Sequence, residues 1–424
     1  MPIRRRIGIV GTDTPQWVVA SAHGNPSVPA PVITTLADLV RIDSVNPEFG
    51  GPGERRVADY VEDRLRAAGV ETRRTEVLAG RDNVVGIVPG RDRTRQVVLE
   101  AHMDVVSIAG MTIPPFDPVI DGGRMYGRGS CDTKAGLAGM LHAVIDIHRS
   151  GVVPPCDIWL AAAIDEEYLF RGVTRLCDDL PATVPGMRPR AAIIAEPTEM
   201  RVVVATKGVV RWEIVFHGRA AHSSKPHLGI NAISHAAAFI REVDAAHAAL
   251  AARRHPLLGP ATGNVGLIGG GVQVNFVPDR CALQIDRRLL PGERTADVLA
   301  GYQAILDRMA ADDPTVRAEL IPPFLVDEAL ETAADTRAVT LAIEVAGELG
   351  LEGEPVGVPY GSDASKLPGT ASTASCSGPE ASTRLTARSS TSMSPRWSGR
   401  PSSTESSPGA TSDGGPISTR RRVT

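Results

Sequence analysis

The chain has 424 residues, 42% of them hydrophobic, and a formal net charge of −4 at pH 7. That length suits two domains, each with a sizeable core. So small a negative balance excludes an electrostatic footprint for nucleic acid. No apolar run approaches the roughly eighteen residues that a membrane helix needs.

Residues 1–29 read as a loose leader. Arg4-Arg5-Arg6 and Ala20-Ser-Ala22 imitate parts of a signal peptide, but Asp13, Pro15 and Gln16 break the apolar region that one requires. The spacing of apolar residues predicts helices over Thr35–Ile42 and Glu54–Ala68, the second stopped by Gly69. Strands are expected at Asn83–Val88 and Gln96–Ala101, then a helix over Thr133–His148. Ile158–Ile164 and Ala191–Ala195 are short apolar runs of buried-strand type. Strands interleaved with helices predict an α/β domain with a mostly parallel sheet. Cys131, Cys156, Cys177, Cys281 and Cys376 show no paired spacing and read as reduced thiols of a cytoplasmic protein.

The pattern changes near residue 205. Val209–Phe216 alternates as a half-exposed strand, and Asn231–Ala251 is an alanine-rich helix. Strands at Gly263–Ile268 and Arg280–Arg287, a helix over Ala296–Ala310 and a last strand at Val316–Ile321 complete a ferredoxin-like split βαβ order. This places a second, α+β domain at 206–321, inserted between 30–205 and 322–367, with the Ala333–Leu349 helix back in the first domain. From Pro368 to residue 424, Ser, Thr, Pro, Gly and Arg dominate, the composition of a disordered polar tail.

Several strand-type runs and one glycine-rich turn end in ligand-type residues. In Val97-Val-Leu-Glu-Ala-His102-Met-Asp104, His102 and Asp104 point the same way from an extended segment. His102 can ligate a metal while Asp104 orients its other ring nitrogen, although such a pair taken alone suits an ordinary surface better. Asp132 follows Gly127-Arg-Gly129 at a helix start, where it is either an N-cap or a ligand bridging two metals. Glu166 and Glu167 follow the Ile158–Ile164 strand; a cation would relieve their repulsion, and one could ligate while the other serves as base. Glu196, before Pro197, is either a ligand or a solvated strand end. Open α/β sheets place sites past the carboxyl ends of parallel strands. Together the blocks favour a hydrolytic site with two metals about 3.5–4 Å apart.

His102-Met-Asp104, Gly127-Arg-Gly-Ser-Cys-Asp132-Thr-Lys-Ala-Gly136, Asp165-Glu166-Glu167, Ala195-Glu196-Pro197-Thr198 and Gly361-Ser-Asp-Ala-Ser365 carry a resemblance. They resemble the metal-dependent amidohydrolases and metallopeptidases that include acetylornithine deacetylase, succinyl-diaminopimelate desuccinylase, aminoacylase and glutamate carboxypeptidase. The likeness covers about residues 35–367. It implies that His102 and Glu196 hold one divalent metal, Glu167 the other, and that Asp132 bridges them. It implies Glu166 as general base, Asp104 as support for His102, and Zn2+ as the metal, with Co2+ or Mn2+ as alternatives. The inserted domain then resembles a dimerisation lid, and the chain a homodimer. In Gly218-Arg-Ala-Ala-His222-Ser-Ser-Lys-Pro226, His222 would stabilise the oxyanion; otherwise it is a turn residue. Asn275 and Arg288 would bind the carboxylate of an N-acyl amino acid or small peptide, a group that an Arg fork suits; otherwise they are plain surface groups. Aminopeptidase activity and an inactive product are the competing readings.

The family closes its second metal site with a histidine near the C-terminus, after a Gly-Pro-Gly loop. No histidine follows His255 here. Back-translating Gly369–Ala381 and the residues beyond with GC-rich codons, and reading from each third base, can give a strand-like run, a Gly-Pro-Gly loop and a histidine at Thr383–Thr386 for a suitable choice of codons. Met393 and Trp397, each with a single codon, fit that frame. The expectation is a frame shift near Pro368 and an impaired chain. Resequencing the gene across this stretch checks it: a one-base shift is expected, and an in-frame read of the chain as written would refute it.

Overall fold

The computed structural model describes residues 30–183, 188–367 and 372–373. The expected leader, and the tail apart from residues 372–373, lie outside the described residues. The first half contains helices α1 (Ala30–Arg41) and α2 (Arg55–Ala67), strands β1 (Glu71–Leu78), β2 (Arg81–Val88) and β3 (Asp92–His102), a small hairpin of β4 (Val119–Asp121) and β5 (Arg124–Tyr126), helix α3 (Lys134–Arg149), strand β6 (Cys156–Ala163), helix α4 (Arg171–Thr183) and strand β7 (Arg188–Ile194). Helix α2 buries Val57, Ala58, Val61 and Leu65 on one stripe, the spacing of an amphipathic helix. It stops at Gly69, whose φ of 82° is a left-handed turn that favours glycine.

The main sheet runs β1-β2-β6-β3-β7. β3 lies parallel to both β6 and β7. The β1–β2 and β2–β6 pairs are antiparallel. The sheet is therefore mixed, where the apolar pattern suggested a mostly parallel one. The reason is β2: the short link at residues 89–91 turns the chain back before β3, so β2 runs against β6, β3 and β7. β1, whose Glu-Thr-Arg-Arg-Thr-Glu is too polar to register as a strand, is folded back on β2 by a tight turn at Ala79-Gly80 and pairs with it antiparallel. Alternate residues feed two cores. Leu160 and Ala162 of β6 face Leu65, Leu137 and Leu141 under α1, α2 and α3. Trp159 and Ala161 face Val173, Leu176 and Leu180 of α4 on the other side.

Strand β8 (Val202–Thr206) leads, through Lys207, into β9 (Gly208–His217). There follow β10 (Ala221–His222), α5 (Ala232–Leu250), the hairpin β11 (Arg254–His255) and β12 (Gly259–Pro260), β13 (Thr262–Gly270), β14 (Phe276–Val277), β15 (Arg280–Leu289), α6 (Thr295–Asp312) and β16 (Arg317–Leu320). The sheet order is β13-β15-β9-β16, all antiparallel. Val210, Trp212, Ile214 and Phe216 alternate inward from β9 against Phe239 and Val243 of α5 and Tyr302 and Ile305 of α6. The sheet also takes β17 (Leu325–Asp327), paired with β9. β8 belongs to a separate small sheet with β18 (Leu330–Glu331), β19 (Val356–Val358) and β20 (Ser372–Thr373). Helix α7 (Arg337–Glu348) packs Val339 on β8. Among the described residues no helix is long and apolar enough to cross a membrane.

Leu160 is fully buried at the centre of the first core. Leu160→Ala is expected to cost about 2–5 kcal/mol, read as a fall in the urea midpoint. Val153→Ala, at a side chain 53% exposed, should leave the midpoint in place.

Candidate metal centre

Parallel pairing sets His102 opposite Ala163, and Glu100 opposite Ile194. The carboxyl ends of β3, β6 and β7 thus lie side by side, and the chain leaves them through Met103-Asp104, Asp165-Glu166-Glu167 and Ala195-Glu196. Asp132 arrives from the start of α3. Thr133 ties that start to the end of β7 by donating its hydroxyl to the Ala195 carbonyl at 2.9 Å. Gly136 makes the approach possible, because a Cβ there would sit 2.4 Å from the Ala195 Cβ.

Ligand atoms of His102, Glu166 and Glu196 fall within 4.8 Å of one another, and so do those of His102, Asp132 and Glu167. The His102 Nδ1 lies 3.0 Å from the Asp104 carbonyl oxygen, which can only accept, so this nitrogen carries a hydrogen. That turns Nε2 toward the acids, 3.2 Å from Asp132 Oδ1 and 3.8 Å from Glu166 Oε2. Burial alone would push the imidazole down, but Glu166, Asp104 and Asp132 outweigh it and hold its pKa well above 6.5. Burial, and then the neighbouring carboxylates, push Glu166, Glu167 and Glu196 well above the usual range.

A supporting layer lies behind these groups. The Asp104 carboxylate accepts the backbone N–H of Glu166 at 3.1 Å and of Glu167 at 3.2 Å. Burial would raise its pKa, yet His102, Asn46 and the Glu167 N–H hold it below the usual value. Asp165 adopts a left-handed φ of 69° and is fully buried. It is held by Arg81 at 3.1 Å and by Arg171 at 2.5 Å. Arg81 in turn forks onto buried Glu54 at 2.7 and 2.5 Å. Lys134, also buried, donates to the Leu39 and Ile42 carbonyls at 3.0 and 2.7 Å, and burial lowers its pKa to about 7. Glu100 and Asp363 are both buried and find no donor among the described residues. Burial pushes Glu100 up to about 8, and the two carboxyls can bond each other only while they keep a proton between them.

The structure therefore brings together His102, Asp104, Asp132, Glu166, Glu167 and Glu196. His222 lies elsewhere, exposed on β10, with its Nδ1 2.8 Å from the Ser224 hydroxyl. Asn275 is beside it, its carbonyl accepting the Ser223 N–H at 2.9 Å. Arg288 sits near the opposite end of β15, its fork already on Asp286 at 2.8 and 3.3 Å. Asn46, Glu54, Arg81 and Glu100 carry no signal of their own in the sequence, and Asp363 stands in the Gly361–Ser365 stretch with no role assigned to it. The one trace is an acid, Glu100, inside the apolar run Val97–Ala101.

Residues 98–389 match the profile of Peptidase family M20/M25/M40. The chain belongs to this family. The match runs past Leu367 into the Ser/Thr/Pro-rich stretch. Acetylornithine deacetylase of Myxococcus xanthus is 30% identical over 344 residues, which cover 78% of this chain and 85% of that protein. A Staphylococcus aureus tripeptidase shares the fold with a TM-score of 0.64 at 21% identity, over 81% of this chain and 89% of that one. A Bacillus subtilis protein described as a dinuclear metal binding peptidase of the M20 family has a TM-score of 0.57 at 17% identity, over 81% and 88% of the two chains. The chain is an M20-family hydrolase, related to deacetylases and peptidases.

The donor set fits divalent cations. It is one imidazole among carboxylates, a hard-to-borderline set that suits zinc, cobalt or manganese. Glu196 Oε1 is buried with no hydrogen-bond partner among the described residues, which suits a ligand atom. Because the three glutamates and His102 hold protons more tightly folded than unfolded, an ion must displace them. Co2+ binding is expected to tighten from about pH 6 to about pH 8 and to release protons, which calorimetry in buffers of different ionisation enthalpy would detect. For the ion-free chain these groups stabilise fully below their unfolded values, 4.5 for the glutamates and 6.5 for His102, and that stabilisation is lost as pH rises. Its thermal midpoint should fall with rising pH and recover on adding metal.

Proposed function

We propose that this chain descends from a two-metal hydrolase that cleaves the amide bond of N-acyl amino acids or small peptides. The observation that carries the reading is the pair of ligand-distance groups sharing His102 at the ends of three adjacent parallel strands. His102 and Glu196 would hold one ion, Glu167 the other, and Asp132 would bridge them. Two divalent ions, zinc by preference and cobalt or manganese otherwise, supply Lewis acidity toward a carbonyl and toward water. Glu166, buried and with a raised pKa, would take the proton of the attacking water and return it to the leaving amine. Asp104 would keep His102 in the tautomer that presents Nε2. Residues 30–205 and 322–367 would form the catalytic domain, and 206–321 the inserted lid.

On that lid His222 would meet the oxyanion, and Asn275 and Arg288 the substrate carboxylate. Arg288 would share its fork with Asp286 to do so. Strand β13 pairs on one side with β15, and its Leu267 and Ile268 are exposed, which supports a homodimer formed along this edge. The cytoplasm is the proposed compartment.

A second reading, an inactive product, draws on one fact: no histidine follows His255 in the sequence. His102 is the one imidazole of both ligand groups found among the described residues. With the second site unclosed, metal affinity should be lower by more than the roughly 10–100-fold that losing a supporting partner costs. The test is metal content and turnover of a panel of N-acyl amino acids and free di- and tripeptides, for the chain as written and for a frame-restored chain. The restored chain is expected to hold two ions and hydrolyse the acylated substrates, and Glu166→Gln in it to lose about 10²–10⁴-fold in kcat while keeping its metal. Full turnover by the chain as written would overturn the impaired reading. A restored chain that cleaves only free-amine peptides would make it an aminopeptidase.

A further inference from the structure

Asn46 is fully buried and lies just before the short turn Pro47–Phe49. Its backbone is pinned: its N–H donates to the Val105 carbonyl at 3.0 Å, and its carbonyl accepts Phe49 N–H at 2.9 Å. Its side-chain oxygen accepts the Glu48 N–H at 3.1 Å. That bond serves the turn alone. The two hydrogens on Nδ2 do something else. One goes to Asp104 Oδ2 at 2.7 Å and the other to Asp165 Oδ1 at 3.0 Å. A single amide thus joins the acid after β3 to the acid after β6.

The consequence follows from what those two acids hold. The Asp104 carboxylate receives the backbone N–H groups of Glu166 and Glu167. Asp165, in its left-handed turn, sets the direction in which the chain enters those residues. Neutral Asn is suited to the task, since it has two donors and adds no charge between two carboxylates. Beyond Asp165 the chain of contacts continues through Arg81 to Glu54, whose carboxylate accepts the Asp165 N–H at 3.2 Å. The charges of Arg81 and Arg171 offset those of Asp165 and Glu54, so the anchor itself is balanced.

We propose that Asn46 is a positioning residue that clamps Asp104 to the Asp165 turn and thereby sets where Glu166 and Glu167 point. The proposal rests on the metal-hydrolase reading for the second of its two measurements alone. Asn46→Ser keeps an oxygen for the Glu48 N–H but has no amide to donate. Asn46→Asp keeps the shape and replaces the donors with a third carboxylate. In the ion-free full-length chain, amide hydrogen exchange at Glu166 and Glu167 is expected to speed up at least about tenfold in both variants, the weight of a hydrogen bond to a charged group. Exchange in the middle of β3 and β6 should stay as it was. With Co2+ added, both variants should bind about 10–100-fold more weakly and show an altered visible spectrum. Unchanged exchange at Glu166 and Glu167, or an equal rise over the whole sheet, would overturn the proposal. If the unaltered chain takes no cobalt, the metal reading falls, and the exchange result still decides the role of Asn46.

Discussion

The centre is governed by one constraint: Asp104, Asp132, Glu166, Glu167 and Glu196 are packed around a single imidazole, with most of their surface out of water. Ionised carboxylates resist burial, and they resist one another. Without an ion the protein can answer only by holding protons, which is why the glutamates and His102 all shift upward. A divalent cation answers the same constraint by replacing those protons. The sheet topology creates the problem and the site together. Parallel β6, β3 and β7 must end on the same edge, so whatever follows each strand is forced into one small volume.

The surroundings keep this crowded edge in shape. Gly136 and Thr133 bring the start of α3 against the end of β7 and so seat Asp132 near Glu196. Lys134 anchors the same turn to the carbonyls at the end of α1. On the opposite side the Glu54–Arg81–Asp165–Arg171 array balances its charges and carries the turn of Glu166 and Glu167. Buried arrays of this kind contribute little net stability compared with apolar packing, because desolvation consumes most of the attraction. Their value here is geometric. Catalytic groups have to be held near their working positions before substrate arrives, and locked neighbours do that.

Much of the fold is visible in the apolar pattern. Helix α2 shows in Val57, Val61 and Leu65, and β9 in the inward alternation of Val210, Trp212, Ile214 and Phe216. Strand β1 is invisible for a physical reason: it is an edge strand, held by backbone pairing to β2 on one side, so its side chains need no apolar face. The sheet is mixed because β2 runs against β6, β3 and β7. Helix α4 was also missed, since Asp178, Asp179 and Pro181 interrupt its stripe although Val173, Leu176 and Leu180 are buried.

The residues around the candidate metal centre divide in the same way. His102, Asp132, Glu166, Glu167 and Glu196 could be singled out as candidates by sequence alone, because metal chemistry demands particular side chains and strand ends are where apolar runs stop. So could the family, and so could the want of a histidine after His255. Asn46, Glu54, Arg81 and Glu100 could not, and Asp363 showed only as part of a matching stretch, because an amide or a carboxylate gains its role from what it faces. Asn46 lies far along the chain from both acids it joins, and Glu100 and Asp363 crowd each other because folding buries them both. Which groups compete for a proton, which donor bridges two acids, and how three strand ends come to share one edge are consequences of long-range pairing. That pairing was decided by the tertiary structure.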